Sequence, residues 1–497
     1  MKYALAIGIF PVFFVLACGS ALGETASTQQ NGASGASQRR LPSSSDESRP
    51  NERTGPRVLF PEPRLPARPE RPLAAQGRWL KDHGISPHIG MTELYLSNPG
   101  TGLKTGSTSS VTFFDIGADF DMQEIAGLNG GIVHFQELYA PWVSNLDFGP
   151  EAGDPLIGEP SPYVPKTSHL TLFTYEQRFL DDRLTLEAGK SNAGNYFALP
   201  LCNVPLGCVN VILQDAAAFN PPPYANWGAR VAYDFTPQWR GQLGAWRSNN
   251  AYPFTNGWER AEGDSGGTLS TTYLADLAYR TDFGMSRYPE SIELLGFHNN
   301  GEQTDPYHTV NGSSRVTDPA APRTSDGITG AYLGVKKTFW RLDGGQTADS
   351  HPTALSGYLA YTHLFDTDAG SGMSNGITRQ ANMGFILSAP WRSHPLDSYS
   401  LHMNWVHQSS DSQRYLEEAH QLATGGGSYS PANDEFTLNL DANIFLGDSV
   451  IVSPFVARTF NSSSKLNPYY TDNPKDGIAA GIVIRVQFDQ LLGLGGL

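Results

Sequence analysis

Several segments of the chain place chemically capable side chains at every second position. Asp115 and Asp119 are separated from each other by an even step. Arg230 interrupts the apolar series Ala229, Val231, Tyr233 and Phe235. Ser400, His402 and Asn404 alternate with Tyr399, Leu401, Met403 and Trp405, and Glu435, Thr437, Asn439 and Asp441 alternate with Phe436, Leu438, Leu440 and Ala442. Arg485 and Gln487 oppose Ile482, Ile484 and Val486, and Glu187, Trp246 and Asp276 join the set by parity. The candidate solute-contacting residues are therefore Asp115, Asp119, Glu187, Arg230, Trp246, Asp276, His402, Asn404, Asn439, Asp441 and Arg485. They supply hydrogen-bond donors and acceptors and one broad aromatic face. Glu176 is set apart because its strand alternates poorly.

The same residues do not assemble into catalytic machinery. His402 with Ser400, and His407 with Ser409, pair an imidazole with a hydroxyl, but neither pair has a third orienting group in a recognisable motif. No G-x-S-x-G is present to form a nucleophile elbow. No catalytic residue is assigned, and the barrel-enzyme reading is kept only as an alternative. Cys202 and Cys208 flank Asn-Val-Pro-Leu-Gly and would close a small loop in an oxidising compartment. No histidine pair lies near them at ligand spacing, so no metal is assigned, and no cofactor is read from the sequence.

Alternation with period two requires strands, and these strands are long. Ile478, Ala480, Ile482, Ile484, Val486 and Phe488 define one apolar face, as do Phe114, Ile116, Ala118, Phe120 and Met122. Runs of roughly nine to eleven alternating residues match a tilted membrane strand, whereas globular strands average roughly five or six. Aromatic residues near the ends of the apolar faces fit the two interfaces of a bilayer. The opposite faces, with Asp, Asn, Arg and His, would be costly in a dry core and imply a wet interior. Charged residues make up 17% of the chain and the mean hydropathy is -0.33, which is too polar for a bundle of membrane helices. The net charge of -15 argues against a nucleic-acid partner. The expected fold is an all-β transmembrane antiparallel barrel with short periplasmic turns and longer extracellular loops. No long amphipathic helix is expected beyond a short one near 74–83.

The N-terminal region has a different character. Lys2, the apolar run Ala4 to Ala17 and the small residues of Ala21-Leu22-Gly23 form an export signal at 1–23, with cleavage before Glu24. Val15-Leu16-Ala17-Cys18 loosely resembles a lipoprotein box, and Leu16 fits it poorly. Residues 24–74 are rich in Ser, Gln, Pro and Arg and too poor in apolar residues to form a core, so they are read as a disordered periplasmic extension. The barrel is assigned to 75–488 and a short C-terminal tail to 489–497. Outer-membrane barrels commonly end on an aromatic that the barrel-assembly machinery reads, and here the tail follows Phe488.

The residues also support a family resemblance. Trp79 to Pro87, Leu94-Tyr95, Asn98-Pro99-Gly100 and the turn Ile125 to Phe135 are similar to the opening of the carbohydrate-selective porin family, the OprB-like porins. Tyr175 to Leu186, Ala188-Gly189-Lys190 and Asn192 to Ala198 form the most specific block, with lysine where the family usually has arginine. Gly384 to Arg392, Asp397, Leu401 to His407 and Ser453-Pro454-Phe455 complete it. The resemblance implies about sixteen strands, a monomer or homotrimer in the cell outer membrane of a Gram-negative bacterium, and passive diffusion of glucose-like sugars. Mono- or oligosaccharides would be the permeating solutes and outer-membrane lipids the surroundings. Inward-folding loops would narrow the channel to an eyelet of polar and aromatic groups that bind weakly enough to release. A general, cation or amino-acid porin is the alternative, which the acidic charge permits. A gated uptake barrel would need a folded plug, and 24–72 is too polar to be one.

Overall fold

The structure is a computed structural model that describes residues 71–495 except 159–163, 165–166, 203–207, 220–222, 250–255, 259–268, 348, 350 and 366–374. The export signal, and the polar extension as far as residue 70, lie outside the described residues.

Strand parity expresses itself as a cylinder. A short helix, α1 (Ala74–Asp82), leads into β1 (Ile85–Ser97) and β2 (Thr108–Asp121), and α2 (Met122–Ala126) turns the chain into β3 (Gly131–Val143). Two short helices, α3 (Phe148–Ala152) and α4 (Pro155–Gly158), precede β4 (Ser168–Phe179) and β5 (Leu184–Ser191). Helix α5 (Val211–Ala216) then precedes β6 (Asn226–Asp234), β7 (Trp239–Asn249), β8 (Leu269–Arg280), β9 (Glu290–Thr309), β10 (Pro322–Arg341), β11 (Ala354–Leu364), β12 (Ile377–Ser388) and β13 (Ser398–Gln408). The chain ends with α6 (Ser410–Thr424), β14 (Asp434–Phe445), β15 (Val450–Phe460), β16 (Ile478–Gln487) and α7 (Phe488–Leu492).

Each strand pairs antiparallel with its sequence neighbours, and β16 returns to β1 with Gly90 opposite Gln487 and Ser97 opposite Ala480. All sixteen strands thus form one closed barrel. Closure satisfies the backbone of every strand without water, which hydrocarbon demands. No described helix is long and apolar enough to cross a membrane. Outward side chains such as Ile116, Leu243, Leu294, Phe385, Leu401, Leu438 and Leu440 are exposed, as a lipid-facing belt must be. Exposed aromatics gather at both rims: Phe179, Phe235, Trp239, Phe339 and Trp391 at the short-turn end, and Tyr95, Trp142, Tyr139 and Tyr273 at the long-loop end.

Three sequence expectations change. Helix α6, capped by the Ser409 hydroxyl accepting from Ser412 N and ended by left-handed Gly425, is fifteen residues long. The apolar-periodicity reading missed it because its signals are its caps and not a strong apolar stripe. Phe488 does not end the closing strand but opens α7, and Met122 lies in α2. The strands β9 and β10 each run to twenty residues, so their ends extend past a bilayer as a paired ribbon.

Both ends of the described chain lie at the short-turn rim. Leu73 N donates to Leu492 O at 2.8 Å, and Arg71 pairs with Asp448 in the β14–β15 turn. In bacterial barrels this rim faces the periplasm.

Candidate pore and its constriction

Two long connections fold back into the barrel. In the first, between β3 and β4, Phe148, Ala152, Ile157 and Val164 pack on the inward residues Leu94, Leu96, Val111, Phe113, Leu138, Ala457 and Val483. In the second, between β5 and β6, Phe197, Val209, Val211, Ile212, Leu213 and Phe219 pack on Trp246, Leu274, Leu295, Phe297, Ile328, Tyr332, Leu364, Ile377 and Val406, the inward residues of β7 to β13. Leu156 of the first segment joins this second cluster, so the two insertions meet across the lumen. An eyelet of this kind has an apolar underside, which the sequence pattern did not reveal.

Polar side chains pin the second insertion to the wall. Gln380 accepts from Val211 N at 2.9 Å and donates to Val209 O at 2.6 Å. Asn210 Nδ2 donates to Thr362 Oγ1 at 2.6 Å, and Ala198 N donates to Glu293 Oε1 at 2.6 Å. Lys336 Nζ donates to Leu201 O at 3.3 Å. Cys202 and Cys208 form a disulfide within the same segment, and both belong to a small cluster with Tyr358 and Ile386.

The wall beneath this insertion carries a belt of alternating charge. Asp119 accepts from His134 Nδ1 at 2.6 Å and faces His88 Nε2 at 3.1 Å. His134 Nε2 lies 3.9 Å from Glu176, which accepts from Arg178 Nε at 2.6 Å and lies 3.6 Å from Arg230. Arg230 pairs with Glu187 at 2.7 Å, and Glu187 also accepts from Thr174 Oγ1 and Tyr196 Oη, each at 2.7 Å. Gln242 then relays from Arg230 Nη1 at 3.2 Å to Asp276 Oδ2 at 3.1 Å. Arg280 holds Glu293 at 2.7 Å. The belt therefore crosses β1 to β9, and each buried charge gains a neighbour of opposite sign or an amide. The Tyr196 hydroxyl, which reaches the belt from the insertion, is held protonated by burial, with its pKa well above the usual phenol value.

The eleven candidates separate into groups. Asp119, Glu187, Arg230 and Asp276 belong to the belt. Trp246 points inward, but only 1% of it is exposed; it stacks on Tyr196 at 6.0 Å and meets Phe197 edge-on at 5.7 Å. It is thus covered by the insertion and serves as its packing anchor, a correction to its reading as a lumen group. His402 Nδ1 lies 3.1 Å from Asp441 Oδ2, Asn404 accepts from Asn382, and Asn439 donates to Thr437 at 2.9 Å, forming a second polar patch on β12 to β14. Asp115 lies over Gly90, near Asp489 of α7 and within electrostatic reach of His88 at the end of the belt. Arg485 points inward from β16 and is buried. Sequence reading missed His88, His134, Gln242, Glu293 and Tyr196, and held Glu176 as a less secure candidate. Glu176 is fully buried and inward despite the irregular alternation of β4, whose register to β3 shifts at Gln136/Glu137.

A closed sixteen-stranded barrel with an apolar outer belt, aromatic rims and a polar interior narrowed by inward loops is a porin of the outer membrane. The chain belongs to the carbohydrate-selective porin, OprB family, whose model matches residues 109–488. It is 22% identical over 393 residues to Porin B of Pseudomonas aeruginosa (strain PAO1), covering 76% of this chain and 81% of that protein. Its fold is similar to the high pH structure of Pseudomonas putida OprB, with a TM-score of 0.69 and 18% identity, covering 82% of this chain and 96% of that one. The protein is a carbohydrate porin: a channel.

Proposed function

We propose that this channel passes neutral, glucose-sized sugars and discriminates against ions of similar size, through the space left between the 192–225 insertion and the polar wall. The observation that carries this reading is the internal pairing of the belt. Asp119, Glu176, Glu187 and Glu293 each lie beside an arginine or histidine, so a permeating ion meets largely compensated charge along the belt. Hydroxyl groups of a sugar can exchange hydrogen bonds with such a wall without a large desolvation cost. The candidates outside the belt, His402, Asn404, Asn439 and Asp441 on one wall and Asp115 and Arg485 towards the periplasmic rim, are read as the groups that offer hydrogen bonds to solute. Glu187, Arg230 and Trp246, which touch Tyr196 of the insertion, act by setting its position. The reading also includes export by a cleaved leader at 1–23, an extension at 24–74, insertion into outer-membrane lipids by the assembly machinery, and a monomer or homotrimer.

Flux into liposomes containing the purified protein tests the reading. Glucose entering faster than amino acids or chloride of comparable size supports it. Equal rates for all small solutes would make the protein a general pore. A cation-selective reversal potential would favour the alternative that the -15 net charge permits.

A further inference from the structure

We propose that Asp154, Glu435 and Ser463 form a site for a divalent cation of the calcium type, which staples the inward β3–β4 segment to the extracellular end of β14 and to the β15–β16 loop. The site lies apart from the charged belt and does not depend on which solute the channel carries.

Asp154 sits between α3 and α4 with none of its surface exposed, and Glu435, at the start of β14, is 1% exposed. Their carboxyl groups meet side by side. Asp154 is partly satisfied: its Oδ1 accepts from Ile157 N at 2.8 Å and its Oδ2 from Ser462 Oγ at 3.0 Å. Glu435 is not. Neither of its oxygens receives a well-formed hydrogen bond, although Ser463 is directed at it. The Ser463 and Ser464 hydroxyls are buried to the same degree and also make no well-formed hydrogen bond. Neither carboxylate has an ion pair among the described residues.

Two adjacent carboxylates cannot both ionise in a buried site without a cation. Four orphaned oxygens there would cost about 1–3 kcal/mol each if left unmet. Calcium takes six to eight oxygen ligands in irregular geometry from carboxylates, hydroxyl or carbonyl oxygens and water, which suits oxygens drawn from three separate chain segments. Magnesium demands a tighter octahedron and fits less well. A cavity of about 610 Å³ opens beside the cluster, lined by Glu417, Asp476, Asn461, Tyr429 and Ser462, and Ser464 N donates to Tyr429 Oη at 3.3 Å. Its two acidic residues would raise the local cation concentration.

The test uses the full-length barrel in detergent at pH 7.5 after removal of metal with EDTA, with calcium chloride and magnesium chloride as probes. Radioactive calcium retained on equilibrium dialysis, together with a calcium-induced rise in the midpoint of thermal unfolding larger than that from magnesium, supports the site. Glu435→Gln should abolish both effects, and Ser463→Ala should weaken calcium binding about tenfold. The serine variant keeps the test decisive should the glutamine variant fail to fold. No retained calcium, or the same thermal shift in both variants, overturns the proposal. Stabilisation on acidification that calcium does not alter would also overturn it, and would assign the carboxyl pair a shared proton instead.

Discussion

The guanidinium carbon of Arg230 lies 4.1 Å from the centre of the Tyr196 ring, and both side chains grip the two oxygens of one carboxylate, Glu187. Arg230 comes from the barrel wall and Tyr196 from the segment inside the lumen. The stack and the shared acceptor therefore bind wall to insertion at one point, and this point fixes how much of the lumen the insertion fills.

Removing the arginine should loosen that point more than removing the phenol. Arg230→Ala leaves Glu187 without its cation and takes a second one from Glu176, at a cost of about 3–5 kcal/mol. Tyr196→Phe keeps the ring and loses one hydrogen bond to a charged group, at about 2 kcal/mol. Denaturant midpoints of the folded barrel measure both, and Arg230→Ala should also raise single-channel conductance. An equal or smaller effect of the arginine variant would show that the belt does not anchor the insertion.

Trp246 lies flat on the inner wall because Gly228 and Gly244 have no side chains; a Cβ at either position would overlap its ring. Gly244→Val should lift Trp246, displace Tyr196 and Phe197 and open the lumen. The expected readouts are higher conductance and new protease cleavage within 192–225, with the barrel itself still heat-modifiable on a gel. Unchanged conductance would mean that the indole does not support the insertion.

Neighbouring residues on β14 should respond oppositely to charge. Leu440 is 55% exposed on the outer face, and Asn439 beside it is buried on the inner face. Leu440→Lys should cost about 2–4 kcal/mol because the ammonium must enter hydrocarbon near mid-membrane. Asn439→Lys should leave folding nearly intact and shift ion selectivity instead. Unfolding midpoints in lipid vesicles and reversal potentials check the pair.

Burial pushes the Asp154 carboxyl up to about 6. The folded state then holds a proton that the unfolded chain releases near pH 4. This contribution to stability is complete below pH 4 and is lost as the pH rises through 6. In EDTA, thermal stability should fall over that window by about 3 kcal/mol, and Asp154→Asn should flatten the profile. A wild-type profile as flat as that of the variant would contradict it.

Strand parity was legible because the alternative faces lipid. His402 and Asn404 against Leu401 and Met403 could occupy only one arrangement, since a one-residue slip would put imidazole and amide into hydrocarbon. The register of β4 was less legible because a bulge breaks its period between Gln136 and Glu137 of its neighbour, which left Glu176 a less secure candidate. The cover over Trp246 was not legible at all. Nothing local to the Ala245-Trp246-Arg247 sequence marks it as packed under residues fifty positions earlier, because that contact is made by long-range folding of the insertion. His88 and His134 escaped for a related reason: each histidine gains its role only from the Asp119 carboxylate on the neighbouring strand β2.

The seam between β1 and β16 joins strands from nearly opposite ends of the chain, with Gly90 opposite Gln487. Until the last strand arrives, the growing sheet has two unpaired margins whose amides and carbonyls hydrocarbon cannot satisfy. The barrel can therefore be finished only after almost the whole polypeptide has left the cytoplasm. Every earlier stage leaves those margins to be kept out of hydrocarbon, and loss of β16 alone would strand the molecule at that stage, however well the other fifteen strands pair.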